Sequence, residues 1–67
     1  MEISARNQLP GTITRVTLGE VMAEVALDVA GKEVVAAVTR SSVERMGLKE
    51  GDQVTAIIKA TEVMIGR

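Results

Sequence analysis

Two isolated cations stand among small and hydroxyl-bearing residues near opposite ends of this 67-residue chain: Arg6 in Ser4-Ala5-Arg6-Asn7-Gln8, and Lys59 in Ile57-Ile58-Lys59-Ala60-Thr61. A guanidinium presents a planar fork of donors that matches an oxyanion. Ser4 adds a hydroxyl. Lys59 falls where an apolar run gives out, so unpaired backbone N–H groups are expected at Ala60 and Thr61. A third cluster, Thr39, Ser41 and Ser42, sits at an expected helix start, where backbone N–H groups also favour anions. Together these residues offer hydrogen-bond chemistry suited to a small anion. Each has a plainer reading. Arg6 can be a terminal surface charge, Lys59 a charge that guards a sheet edge, and Ser41 or Ser42 a helix cap. Residue type alone leaves both readings open.

Other chemistries are poorly supplied. The chain has no His and no Cys, so it lacks a base that titrates near neutrality and a thiolate nucleophile or ligand. A zinc or copper site made of carboxylates alone would be unusual. Nothing in the sequence activates a Ser or Thr as a nucleophile. Glu24 with Asp28, and Glu44 with Glu50, read as solvated charges. No phosphate-binding glycine loop, dinucleotide fingerprint or EF-hand loop occurs. The expectation is a non-enzyme with no cofactor and no directly coordinated metal. A net charge of −1 and the absence of any Phe, Tyr or Trp argue against nucleic acid, which is bound through basic surfaces and stacking rings. No apolar run approaches the roughly 18 residues of a membrane helix, and Met1 to Arg6 has no signal-peptide core. The expected location is the cytoplasm.

The elements that must position these residues are mostly strands. Pro10 suits a strand start or edge, and Thr12 to Leu18 is rich in β-branched residues. The apolar parity shifts between Ile13 and Val16 or Leu18, which predicts a bulge. After a turn at Gly19-Glu20, the segment Val21 to Val29 alternates apolar and polar residues. A turn at Ala30-Gly31-Lys32 leads to a return strand, Glu33 to Thr39. Arg40 to Met46 then reads as one or two helical turns, capped by Ser41 or Ser42 and closed at Gly47, with apolar Leu48 beyond. A turn over Leu48 to Gln53 precedes a fourth strand, Val54 to Lys59. Ala60-Thr61-Glu62 links it to a short fifth strand, Val63 to Ile65. Residues 1–67 therefore predict one all-β domain with one short helix. Its expected form is a five-stranded OB-like Greek-key barrel, with a meander sandwich as the alternative.

So short a chain buries only about 60% of its unfolded surface. The apolar fraction of 46% comes entirely from aliphatic residues, Ala and Met. With no disulfide or metal staple available, oligomerisation is the expected route to stability.

Four segments, in order and spanning essentially the whole chain, carry a resemblance. Ile3-Ser4-Ala5-Arg6-Asn7-Gln8-Leu9 resembles the opening signature of the Mop, or molbindin, family of TOBE-type domains. Val21 to Val25, Ser42 to Gly51 and Val54 to Ile65 resemble three further stretches of it. The resemblance implies an OB-like barrel assembled as a homohexamer, a trimer of dimers, that binds molybdate or tungstate between subunits for intracellular storage. It further implies Ser4, Ala5 and Arg6 as ligands from one subunit, with Thr39, Ser42, Lys59 and Ala60 from another. Ala5 and Ala60 would act through backbone N–H, the others through side chains. Pro10 departs from the family, which often carries Lys or another polar residue there, and Arg40-Ser41 also differs. A structural or regulatory oligomerisation module holding sulfate or phosphate is the alternative function.

Overall fold

The computed structural model describes residues 1–67. Four antiparallel strands form one sheet: β1 (Asn7–Leu18), β2 (Met22–Val29), β3 (Lys32–Thr39) and β4 (Gln53–Ile58), in spatial order β3-β2-β1-β4. A single helix, α1 (Arg40–Met46), joins β3 to β4, and a 3₁₀ turn covers Ala60–Glu62. The all-β class with one short helix is thus as expected.

The long first strand serves two partners in succession. Asn7 to Thr12 pair with Ile58 to Gln53, and Thr12 to Leu18 pair with Asp28 to Ala23. The expected bulge lies between these pairings and Arg15: Ile13 faces Leu27 and Arg15 faces Ala26, leaving Thr14 as the extra residue. The Thr14 hydroxyl donates to the Ala26 carbonyl at 3.2 Å. The extra residue restores Val16 to the face already occupied by Ile13, which explains the parity shift. At the crossover from β4 to β2 stands Gly11. A Cβ there would lie 2.8 Å from the Asp28 carbonyl oxygen and 2.9 Å from Val29 Cγ2, so only glycine permits the backbones to approach this closely.

The β2–β3 hairpin turns at Ala30 (φ 49°) and Gly31 (φ 84°), the left-handed pair of a two-residue turn. Its tightness fixes the register, with Val29 opposite Lys32. Register in turn aligns Leu27 with Val34, Val25 with Ala36 and Ala23 with Val38. These face Ile13 and Val16 of β1, and Val43 of α1 closes the cluster from outside the sheet. The core is small: seven residues are buried, and Ile13 is its one large, fully buried side chain.

One sequence expectation is corrected, and another is met only in part. The helix cap is Thr39, two residues ahead of the first serine: its Oγ1 accepts the Ser42 N–H at 3.1 Å. Thr39 ends β3 in an extended conformation, which is the cap geometry, whereas Ser41 and Ser42 lie inside the first turn. The helix ends as expected on Gly47 at φ 64°, with the Leu48 N–H bonded to the Val43 carbonyl. The expected fifth strand is not formed within the single chain. Val63 to Ile65 pair with nothing, and Met64 and Ile65 are 91% and 92% exposed. β-Propensity is legible in a segment, but a strand exists only against a partner edge, and this chain folds none beside its tail. The edges of β3 and β4 are both left open.

Candidate oxyanion site

β1 and β4 together build the site. Their pairing sets Asn7 opposite Ile58, so the residues just before β1 meet those just after β4. Ser4, Ala5, Arg6, Lys59, Ala60 and Thr61 line one surface depression of about 380 Å³. Its lining holds two cations and no carboxylate. Arg6 and Lys59 make no ion pair; the chain's two salt bridges are Arg40–Glu44 and Lys49–Asp52.

Side chains hold the two segments in place. Asn7 Nδ2 donates to the Ile58 carbonyl at 3.0 Å, and Gln8 Nε2 donates to the Ala5 carbonyl at 2.9 Å. Ala5 is buried while its neighbours Ser4 and Arg6 are exposed. Its carbonyl is bound and its N–H has no acceptor in the chain. The same is true of the Ala60 N–H, which opens the 3₁₀ turn, where first-turn donors lack partners. The depression therefore combines a guanidinium, an ammonium, two hydroxyls and free amides, a donor-rich lining suited to an acceptor-only ligand.

Thr39 and Ser42 are not brought to this depression. Thr39 borders a separate shallow groove with Glu20, Val21, Arg40, Ser41 and Glu44. Ser42 lines an apolar cleft between β3 and β4. The Thr39 hydroxyl donates to Ser42 Oγ at 2.7 Å, which leaves the Ser42 hydroxyl proton free to donate elsewhere. Within the single chain the β1–β4 register puts Lys59 and Ala60 beside Ser4, Ala5 and Arg6, and apart from Thr39 and Ser42. Asn7 and Gln8, which fasten this arrangement, were visible in the sequence only as polar residues. Their spacing next to Arg6 was the available signal, but the carbonyls they bind belong to the tertiary fold.

The segment that supplies Arg6 and the one that supplies Lys59 fall within a single family match: the TOBE domain model covers residues 3–65. This chain belongs to the TOBE family, in its Mop (molbindin) group. A molybdenum-pterin-binding protein of Clostridium pasteurianum is 50% identical over 66 residues, 97% of each chain. The solved molybdate-binding protein of Sporomusa ovata superposes with a TM-score of 0.96 at 45% identity over the full length of both chains. The cytoplasmic molybdate-binding protein ModG, solved with molybdate bound, matches at a TM-score of 0.90 and 42% identity, covering 96% of this TOBE chain and 46% of that one. No helix of the TOBE chain is long and apolar enough to cross a membrane.

Proposed function

We propose that this TOBE chain binds molybdate or tungstate as a homo-oligomer that buffers or stores the oxyanion in the cytoplasm. The single observation that carries the reading is the depression where Arg6 and Lys59, both free of ion pairs, converge with unpartnered N–H groups. A tetrahedral dianion accepts hydrogen bonds in every direction. One chain walls it on one side only, so a second copy supplies the remaining donors. Thr39 and Ser42, which lie outside the depression in their own chain, are the residues for that second wall. In this reading Ser4, Ala5, Arg6, Lys59 and Ala60 come from one subunit and Thr39 and Ser42 from its neighbour. Assembly as a hexamer, a trimer of dimers, and closure of the sheet into a five-stranded Greek-key barrel belong to the same proposal. The small core and the exposed Val21, Met46, Met64 and Ile65 support burial against other copies. A binding role without catalysis accords with the molybdate-binding relatives.

Equilibrium dialysis against molybdate, tungstate and sulfate, read by elemental analysis, tests the function. Molybdate and tungstate should be retained and sulfate much less, because donors held by a rigid sheet fit the longer bonds of the larger anions. Equal retention of sulfate would replace molybdate binding with a generic anion-binding or purely structural oligomer.

A further inference from the structure

The hydroxyls of Thr12, Thr14, Thr39, Ser41 and Ser42 all take part in hydrogen bonds within the fold. Those of Ser4, Thr17, Thr55 and Thr61 have no partner in the chain. Two of these free hydroxyls, Ser4 and Thr61, line the depression that holds Arg6 and Lys59. The β1–β4 ladder accounts for their meeting. It ends with Asn7 opposite Ile58, and residues of an antiparallel pair match one to one across a local twofold. Counted outward from Asn7 and Ile58, Arg6 matches Lys59, Ala5 matches Ala60 and Ser4 matches Thr61. Each segment leaves the ladder as a cation, an alanine and a hydroxyl, in that order.

We propose that Thr61 is a further oxyanion ligand: its hydroxyl donates to the bound anion from the same subunit as Arg6 and Lys59, as the counterpart of Ser4. A tetrahedral anion seated between the two cations turns oxygens toward both halves of the depression. Ser4 serves the half beside Arg6, and Thr61 serves the half beside Lys59. The Thr61 proton is available at no loss, because it has no competing acceptor in the chain. Its position is also fixed before any ligand arrives. The Glu62 N–H donates to the Lys59 carbonyl at 2.9 Å and the Val63 N–H to the Ala60 carbonyl at 3.4 Å, so two bonds close the backbone around Thr61. A β-branched side chain has few χ1 choices on such a backbone, which holds the hydroxyl in one direction better than a serine would. This assignment rests on the oxyanion site of the proposed function and adds a ligand to it.

Isothermal titration of the full chain with molybdate, at matched ionic strength, tests the role of Thr61 through Thr61→Val, Thr61→Ala, Thr61→Ser and Thr17→Val. Valine keeps the shape of threonine and removes the hydroxyl; serine keeps the hydroxyl and removes the methyl group. The Thr17 hydroxyl is equally free but lies in a separate groove near the end of β1. Thr61→Val and Thr61→Ala should each bind about tenfold more weakly, the usual consequence of losing one hydrogen bond to a charged group. Thr61→Ser should stay within about threefold of wild type, since the donor is kept, and Thr17→Val should match wild type. Melting and sedimentation without the anion check that each variant folds and assembles as wild type does. Should Thr61→Val fail there, Thr61→Ala against Thr61→Ser decides. Wild-type affinity in the variants lacking the hydroxyl would overturn the assignment. So would an equal loss in Thr61→Ser and Thr61→Ala, which would trace the effect to the packing of the turn. If wild type itself retains neither molybdate nor tungstate in dialysis, the proposed function falls and this ligand with it, so wild type alone tells the two failures apart.

Discussion

Asn7 Nδ2 donates to the carbonyl oxygen of Ile58 at 3.0 Å, across a sequence separation of 51 residues. The bond fastens the residue after Arg6 to the residue before Lys59. It sets the spacing of the two cations, because both neighbours are held by a side chain in addition to the β1–β4 ladder.

Replacing Asn7 with Ala removes this donor and leaves a half-buried carbonyl without its side-chain partner. The cost is about 1 kcal/mol, and a comparable loss of site alignment would weaken oxyanion binding by roughly tenfold or less. Isothermal titration of Asn7→Ala beside wild type checks this. Unchanged affinity would show that the ladder alone positions Arg6 and Lys59.

Subunit mixing separates the donors by chain. Arg6→Ala and Ser42→Ala each lose binding alone, but co-assembled subunits should regain some intact sites, because each chain supplies what its neighbour lacks. Arg6→Ala mixed with Lys59→Ala should regain none, because both cations come from one chain in the depression. Recovery in the second mixture would show that the two cations act from different subunits, as the family resemblance implies.

Gly11→Ala should destabilise the fold by about 1–3 kcal/mol, the usual cost of forcing a methyl group into filled space. Here the obstruction is the Asp28 carbonyl oxygen, 2.8 Å from the added Cβ, and backbone cannot swing aside as a side chain can. Chemical denaturation measures the loss. A change within experimental error would mean that the β1–β2 crossover relaxes freely.

The Lys49 backbone N–H donates to Asp52 Oδ2 at 3.0 Å and holds the Asp52 carboxyl below its ordinary value, with the Lys49 ammonium at 3.2 Å reinforcing the shift. A carboxyl whose value is lowered by folding stabilises the native state at neutral pH. That contribution is lost as pH falls below the ordinary carboxylate value toward the depressed one. Wild type should therefore lose stability relative to Asp52→Asn on acidification through that window. Parallel pH profiles in urea denaturation would show the two curves converging; parallel curves would assign the turn no part in acid sensitivity. The side chains are exposed, so the effect is small.

The sequence by itself determined the class of chemistry and most of the elements. The absence of His, Cys and aromatic residues turned the reading toward hydrogen-bond chemistry without any coordinates. Alternation placed β2 and β3, the parity break between Ile13 and Val16 announced the bulge at Thr14, and Gly47-Leu48 marked the end of α1. These are local matters, governed by side-chain period and backbone conformation within a few residues. Ser4, Ala5, Arg6, Lys59 and Ala60 were legible as donors because donor capacity is a property of residue type. Only the tertiary structure decided which donors share a depression, because that depends on the register of β1 against β4, a contact between the two ends of the chain. It also decided that Thr39 caps the helix, since the cap belongs to the residue on which β3 happens to end. It left Val63 to Ile65 without a partner for the same reason: strand propensity is local, but strand pairing is not.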